Sequence, residues 1–356
     1  MADRELDDLV AVVGPLLGTL DALGFISRYF HPPQFGEVLA AAGTPDEALA
    51  AVRRRLDGWP DRLAGVAECL SAAADHALAG FAALRDVGEA PDAMRGVYRA
   101  LGRLPRAQEA LYPLAADLPP ISRYFLEPGA RGDEALQTRL IEAGRPDEAG
   151  VMHVGAEPGE RGGYSLYVPE YYTPDRAWPL VVAMHGGAGN GRGFLWSWLR
   201  DARAHGAILI SPTAVGDTWA LQGPDVDTPN LMRMLDEVST RWRLDPTRML
   251  MTGMSDGGTF SYVSGLDHRS PFTHLAPCSA AFHPVLAAMA DGERLAGLPI
   301  AITHGALDWM FPVAMAREAA ASLEARGAAV TFREIPDLSH TYPRELNPEL
   351  LRWLNA

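Results

Sequence analysis

The stretch RMLMTGMSDGGTFSYV (residues 248–263) decides how this chain folds. A mostly apolar run over 248–252 leads into a G-x-S-x-G pentapeptide at 253–257, and the composition of a helix start follows. Glycines on both sides of Ser255 let a strand and a helix approach closely and permit a strained turn between them. This order of strand, sharp turn and helix is that of a nucleophile elbow. We therefore predict that Ser255 is a nucleophile at the carboxyl end of a strand; the alternative is an ordinary serine in a glycine-rich turn.

Two downstream segments carry the groups that would activate such a serine. The segment LPIAITHGALD (298–308) indicates a buried strand that runs into a loop with Asp308, and VTFREIPDLSH (330–340) indicates an alternating strand followed by His340. Both residues follow strand ends, where open α/β sheets place their sites, in the chain order serine, acid, histidine. We predict Asp308 as the orienting acid and His340 as the general base. The residues that compete for these roles are Asp337, His304 and His283.

An oxyanion hole is predicted after an earlier strand. The apolar run WPLVVAM (178–184) precedes HGGAG (185–189), a loop of the type that donates a backbone N–H to a developing oxyanion. The residue after the nucleophile donates the second N–H. We therefore predict Gly187 and Asp256 as the two donors, each stabilising the transition state by roughly 2.7–4 kcal/mol.

Residues from about 160 to 356 resemble an α/β-hydrolase domain. More narrowly, they resemble the esterase family that includes polyhydroxybutyrate depolymerase-like and feruloyl esterase-like enzymes, with the phospholipase/carboxylesterase family nearby. The resemblance implies that Ser255, His340 and Asp308 form a Ser-His-Asp triad. Asp256 departs from the family pattern, which more often has alanine, asparagine or glutamine there, and the first 150 residues match nothing in that family. The segments that carry the resemblance are YVP (167–169) with YTP (172–174), PLVVAMHGGAGN (179–190) and LDPTRMLMTGMSDGG (244–258).

From these residues we expect a serine hydrolase that cleaves a carboxylic ester or thioester through an acyl-enzyme intermediate, with no cofactor and no metal. A peptidase or amidase is the alternative within enzymes, because the same triad cleaves amides. A non-catalytic hydrolase-fold scaffold or binding protein is the alternative of a different class.

The composition of the chain disfavours some classes of binding partner and excludes some kinds of chemistry. The 356 residues carry a formal charge of −14, which disfavours nucleic acid and anionic membrane surfaces. All 31 basic residues are arginine, so a lysine Schiff base and a P-loop are excluded. The N-terminal segment is acidic and we see no apolar run of membrane-spanning length, so we expect a cytoplasmic protein. The expected partner is a small-molecule ester or thioester; a homodimer through the N-terminal domain stays open.

The first part of the chain predicts a separate helical domain. Residues 1–150 are rich in alanine, leucine and arginine, and Pro45-Asp46 and Pro91-Asp92 each indicate a helix start, in a bundle of about six short helices. The longest helix is expected to begin near Pro60-Asp61. A glycine-rich, charged linker follows at 151–163, and residues 164–356 alternate strands and helices, which predicts a mostly parallel sheet covered on both faces.

The helical domain contains an internal echo. ISRYF occurs at 26–30 and again at 121–125, and each copy is followed by a second match, AGTPDEA (42–48) and AGRPDEA (143–149). A duplicated helical hairpin with internal packing is one explanation. The other is a cleft facing the hydrolase domain, in which paired arginines hold a substrate carboxylate or phosphate. The residues predicted to bind substrate are Arg28, Tyr29, Arg123 and Tyr124 in this cleft, and Trp219 and Trp309 as walls of an acyl or aryl pocket that could equally be core.

Overall fold

The structure, a computed structural model, describes residues 3–87 and 93–356. It divides into two compact units, Met1–Asp133 and Glu134–Ala356. The predicted helix start at Pro91-Asp92 lies outside the described residues. The boundary between the units lies at residues 133 and 134, earlier than the predicted residue 150. The segment predicted as linker, 151–163, begins within the strand Gly150–Val154, which pairs with the next strand of the sheet.

The first unit is helical, as predicted, and its described residues form seven α-helices. Pro45 is the first residue of its helix, as its position before two acids indicated. The longest helix is not the one expected near residue 60 but the 27-residue helix at the N-terminal end. The helices are α1 (Asp3–Tyr29), α2 (Phe35–Ala42), α3 (Pro45–Val52), α4 (Ala64–Arg85), α5 (Ala93–Leu101), α6 (Arg103–Leu111) and α7 (Pro119–Tyr124).

Helix α1 corrects one expectation. Within Arg4–Tyr29 a window of 18 residues has a mean hydropathy of 2.0, so this helix is long and apolar enough to cross a membrane, and the expectation of no such run was wrong by length and composition. Helices in the cores of globular proteins meet the same criterion. A stripe of α1 is buried and α1 packs against α3 and α4, as a core helix of this unit does. The buried stripe is Val12, Leu16, Leu20, Leu23 and Ile26.

The two copies of the internal echo are only partly equivalent in structure. The isoleucine and the phenylalanine of ISRYF are buried in both copies. The glycine of the second match ends a helix with a positive φ in both, 69° at Gly43 and 62° at Gly144. A helix follows Gly43, whereas a turn and then a strand follow Gly144 in the second unit. In both copies ISRYF ends a helix, at Tyr29 and at Tyr124, and a short 3-10 helix and a second helix follow, so the copies share the order of elements expected of a duplicated helical hairpin up to the glycine and differ after it.

The second unit is built on one eight-stranded sheet with the order β1-β2-β4-β3-β5-β6-β7-β8. The first two pairings are antiparallel and the other five are parallel. Every residue of β3 is buried, as the continuous apolar run predicted for a central strand covered on both faces. The strands are β1 (Gly150–Val154), β2 (Tyr164–Val168), β3 (Trp178–Met184), β4 (Ile208–Pro212), β5 (Leu244–Met254), β6 (His274–Cys278), β7 (Pro299–Gly305) and β8 (Ala329–Ile335).

The parallel strands end together at one edge of the sheet. Met184 of β3 lies opposite Gly253 of β5, and Met254 lies opposite Cys278 of β6. Loops that follow these strands therefore meet at the carboxyl edge. The helices of this unit are α8 (Glu134–Ala143), α9 (Gly191–Phe194), α10 (Leu199–His205), α11 (Asp227–Arg241), α12 (Asp256–Gly265), α13 (Val285–Met289), α14 (Gly292–Leu295), α15 (Val313–Glu324) and α16 (Asn347–Leu354).

A buried ion pair joins α10 to the loop after β2. Arg203 Nε donates to Glu170 Oε1 at 2.9 Å, and the Tyr167 hydroxyl donates to the other carboxylate oxygen at 2.7 Å. The Arg203 side chain is only 2% exposed. Its charge is therefore compensated by Glu170 rather than by water.

We expect Arg203→Met to lower the free energy of unfolding by about 3–5 kcal/mol, because it leaves the Glu170 carboxylate buried without its cation. The double variant Arg203→Met/Glu170→Gln should recover part of that loss. Arg333→Met, which breaks an exposed pair with Glu349, is the control and should cost about 1 kcal/mol or less. Urea titrations of the three variants measure these values, and equal losses in both pairs would contradict the assignment.

Candidate active site

Ser255 occupies the sharp turn predicted between β5 and α12. Its backbone has φ 55° and ψ −121°, a strained conformation that non-glycine residues rarely adopt. A Cβ at Gly253 would lie 2.5 Å from the carbonyl carbon of Gly257, and one at Gly257 would lie 2.5 Å from the Met184 oxygen. Glycine is therefore required at both positions of the motif. The Ser255 N–H donates to the Cys278 carbonyl at 2.9 Å, which ties the turn to β6.

The structure brings Ser255, His340 and Asp308 together from the ends of three strands. His340 Nε2 lies 3.0 Å from Ser255 Oγ, and His340 Nδ1 lies 2.9 Å from Asp308 Oδ2. Ser255 is 6% exposed and His340 3% exposed, so both are shielded from bulk water. One continuous hydrogen-bonded chain thus runs from the serine hydroxyl to the carboxylate.

The Asp308 carboxylate is held by several donors. Its Oδ1 accepts from the backbone N–H groups of Met310 and Phe311 at 2.9 and 2.8 Å. Burial on its own raises the pKa of this carboxyl, but the hydrogen bonds from His340 and from the two backbone groups outweigh it and hold the pKa below its ordinary value. An ionised Asp308 makes His340 Nδ1 the donor, which leaves Nε2 to accept the proton of Ser255.

The competing residues take other positions. His304 is buried, with Nε2 at 2.9 Å from the Phe311 carbonyl and 3.4 Å from Asp308 Oδ2, so it supports the Asp308 loop. Asp337 is exposed, and His283 is exposed and accepts a hydrogen bond from the Val285 N–H. Among these candidates, the structure connects Asp308 and His340 to Ser255.

The HGGAG loop packs against the serine turn. A Cβ at Gly186 would lie 3.4 Å from the Ser255 Cβ, and one at Gly187 would lie 2.8 Å from Asp256 Oδ2. Asp256 is the first residue of α12, so its N–H is one of the donors that a helix leaves without a partner in its own turns. The two predicted oxyanion donors, Gly187 and Asp256, therefore lie in contacting segments on either side of Ser255.

A short segment after β4, which we term the brace (Asp217, Thr218 and Trp219), holds this arrangement. Asp217 and Trp219 bind residues of the HGGAG loop, and Thr218 binds Asp256. The sequence did not reveal this segment, because its partners are distant along the chain and no local pattern marks them. The Asp217 carbonyl accepts from the Ala188 N–H (3.2 Å), the Thr218 hydroxyl donates to Asp256 Oδ2 (2.5 Å), and the Trp219 indole N–H donates to the His185 carbonyl (2.8 Å).

Trp219 therefore does not form a pocket wall as one of the two sequence interpretations proposed. It is 3% exposed and its ring stacks on Phe260 at 5.1 Å, which makes it a core residue that supports the loop. Trp309 differs: it is 41% exposed, and its ring lies 6.2 Å from that of His340. Its role as a pocket wall stays a prediction that this location favours.

Arg161, from the segment predicted as linker, is a further residue whose role the sequence analysis missed. Its Nη1 donates to the Gly189 carbonyl at 2.7 Å and its Nε to the Gly216 carbonyl at 2.8 Å. One guanidinium thus joins the end of the HGGAG loop to the segment that leads into the brace.

The four predicted binding residues of the helical domain lie in the first unit. The Arg28 guanidinium stacks over the ring of Tyr29, which is 38% exposed. Tyr124 is 3% exposed and accepts a hydrogen bond from Gln108, so it is a core residue and not a substrate contact. Substrate roles for Arg28, Tyr29 and Arg123 stay predictions. Within residues 3–87 and 93–356, no group of three or more histidine, cysteine or acidic side chains could hold a metal ion.

Part of the chain is similar to known esterases. Residues 227–354 match the family model described as Phospholipase/Carboxylesterase. Over 156 residues the chain is 26% identical to the bifunctional acetylxylan esterase/xylanase XynS20E of Neocallimastix patriciarum, covering 43% of this chain and 22% of that protein. The chain thus spans about a fifth of the length of this curated relative.

Solved structures similar to this chain include serine hydrolase FphF of Staphylococcus aureus, at 15% identity and a TM-score of 0.47 over 58% of this chain and 97% of that one. A ferulic acid esterase aligns at 15% identity and a TM-score of 0.47, over 57% and 96% of the two chains. A thermostable esterase aligns at 19% identity and a TM-score of 0.43, over 58% and 59%.

His185, the first residue of the HGGAG loop, generates a pH prediction. Its Nδ1 lies 2.6 Å from the Gly186 carbonyl, its Nε2 accepts from the Ala214 N–H at 3.1 Å, and burial lowers its pKa from 6.5 to about 4. The unfolded imidazole takes up a proton below pH 6.5, whereas the folded one resists until about pH 4. The stability that neutral His185 contributes is therefore complete above pH 6.5 and is lost as the pH falls, by up to about 3 kcal/mol.

Urea unfolding between pH 7 and pH 4 measures this loss. His185→Gln should show a shallower fall of stability with decreasing pH than the wild type. His283→Gln, at an exposed histidine, should keep the wild-type slope. A wild-type slope in His185→Gln would show that the buried imidazole is not what titrates.

Proposed function

We propose that this chain, whose C-terminal part is of the esterase/serine hydrolase family with the α/β-hydrolase fold, cleaves a carboxylic ester or thioester through an acyl-enzyme intermediate. The observation that carries the proposal is the hydrogen-bonded chain from Ser255 Oγ through His340 to Asp308. A serine hydroxyl alone is a weak nucleophile. These two hydrogen bonds supply the base, His340, and the orienting group, Asp308, that the hydroxyl needs.

In the first half of the proposed reaction, His340 Nε2 accepts the proton of Ser255 as Oγ attacks the ester carbonyl. Negative charge develops on the carbonyl oxygen, where the backbone N–H groups of Gly187 and Asp256 would stabilise it. Protonated His340 then gives its proton to the leaving alcohol or thiol, and the acyl group remains on Ser255. The Asp308 carboxylate stabilises the imidazolium throughout.

In the second half, a water molecule takes the place of the leaving group. His340 accepts its proton, the hydroxide attacks the acyl carbonyl, and a second oxyanion forms beside the same N–H donors. Collapse of this intermediate releases the carboxylic acid and returns the proton to Ser255. No step requires a group beyond these side chains and the backbone.

We expect Ser255→Ala and Asp308→Asn each to lower kcat for an activated ester by at least about 10⁴-fold, with folding retained. Serine loss removes the nucleophile, whereas the asparagine favours the wrong imidazole tautomer. A fluorophosphonate probe with peptide mass mapping should label Ser255 in the wild type and nothing in Ser255→Ala. Asp337→Asn, at the exposed competing acid, is the control and should retain activity.

A folded wild type that takes no label and turns over no ester would refute the proposal, and faster cleavage of an anilide than of the matching ester would favour an amidase.

The brace yields a second prediction. Thr218→Val keeps the shape of the side chain but removes the hydroxyl that donates to Asp256, so the backbone of Asp256 is less firmly placed. Because a hydrogen bond to a charged group contributes about 1.5–3 kcal/mol, kcat should fall roughly tenfold or more, with KM changed by less than about threefold. Thr218→Ser should restore most of the rate. An effect on KM alone would assign Thr218 to substrate binding instead.

A further inference from the structure

The side chain of Asp256 has a distinctive position. It follows the nucleophile directly, as the first residue of α12. A Cβ added to Gly187 would lie only 2.8 Å from Asp256 Oδ2, so the carboxylate contacts the HGGAG loop. Asp256 is partly exposed, and solvent or a bound molecule can therefore reach it.

The negative charge of Asp256 has no cationic partner among the described residues. Its one side-chain partner is the neutral hydroxyl of Thr218, and no arginine or histidine nitrogen of the described ranges lies within 4.0 Å of its oxygens. A carboxylate accepts about four hydrogen bonds, so most of its capacity remains open. The amino end of α12 stabilises the charge in part.

This charge has a consequence for the reaction. A carboxylate next to the oxyanion donors opposes the negative charge of the transition state unless the substrate itself brings a positive charge. It also repels substrates that carry a carboxylate or phosphate near the scissile bond. A carboxylate at this position would therefore favour esters that carry a positive charge.

An exposed aromatic ring lies near His340, the other member of the reacting pair. Trp309 is 41% exposed, with its ring 6.2 Å from that of His340, whereas Asp256 adjoins Ser255. An exposed indole face attracts ammonium groups through its quadrupole, and a carboxylate attracts them by charge. The chain's formal charge of −14 draws cations toward the molecule as a whole.

We propose that the site selects esters or thioesters that carry a cationic, ammonium-type group, and that Asp256 is the specificity-determining residue, with Trp309 in support. This inference rests on the function proposed above. Asp256 thus has two separate contributions: its backbone N–H faces the developing oxyanion, and its side chain sorts substrates by charge.

The test compares two esters of one acid that differ in a single atom type: the choline ester, with a quaternary nitrogen, and the neutral 3,3-dimethylbutyl ester, with carbon in its place. In the wild type, kcat/KM for the choline ester should exceed that for the neutral ester by about tenfold or more. In Asp256→Asn, which keeps the size of the side chain and an acceptor for Thr218, the ratio should fall to about one to two. Using the ratio removes any general loss of rate in the variant.

One control variant and two further measurements accompany this comparison. Asp236→Asn removes an exposed charge on α11 and should keep the wild-type ratio. Trp309→Leu should lower the ratio by about two- to fivefold, and added salt should lower it in the wild type, as screening of a partly exposed charge requires.

The outcomes separate this inference from the proposed function. A wild type that hydrolyses both esters at equal rates, or an Asp256→Asn variant that keeps the wild-type ratio, overturns the charge selection while leaving the serine hydrolase intact. If Asp256→Asn does not fold, the wild-type ratio and its salt dependence decide alone. Failure of the folded wild type to take a fluorophosphonate label or to cleave any ester overturns both.

Discussion

The close approach of three backbone segments at the carboxyl edge of the sheet is the constraint on which the site depends. The end of β3, the end of β5 and the first turn of α12 are so near one another that only glycine fits at 253 and 257. A side chain at Gly258 would likewise lie 2.9 Å from the Cys278 carbonyl of β6. This packing forces Ser255 into its positive-φ conformation, because the chain must reverse from strand to helix within one residue.

Burial and hydrogen bonding then give each polar group a single orientation. Asp308 is fixed by His340 and two backbone donors, His185 by Gly186 and Ala214, and the Arg161 guanidinium by two loop carbonyls. The buried groups, Asp308 and His185, would be costly to bury alone and are stabilised by their partners. The proposed reaction needs little rearrangement, because the base is already aligned with the hydroxyl and the predicted donors already adjoin it.

Local patterns were sufficient for much of this arrangement. The strands that carry the site are continuous apolar or alternating runs, and the G-x-S-x-G turn has its own glycine requirement, so β3, β5, β7 and β8 and the Ser255 turn agree with expectation. Asp308 and His340 were identified because each follows a strand end in the expected chain order. The choice of Asp308 over Asp337 rested on that order, and the contact with His340 now shows the physical basis: Asp337 is exposed, and Asp308 is buried against the ring.

The sequence by itself predicted most strands of the second unit and the three residues, Ser255, Asp308 and His340, that the structure joins by hydrogen bonds, because strand periodicity and the glycine turn are properties of neighbouring residues. Only the tertiary structure decided the brace, the Arg161 contacts, the burial of Trp219 and Tyr124, and the place of residues 150–154 in the sheet. These depend on partners up to 55 residues away along the chain, as for Arg161 and Gly216, and no local pattern encodes such a pairing. The same holds for the carboxylate of Asp256, whose contact with Thr218 spans 38 residues and exists only once the loops have met at the sheet edge.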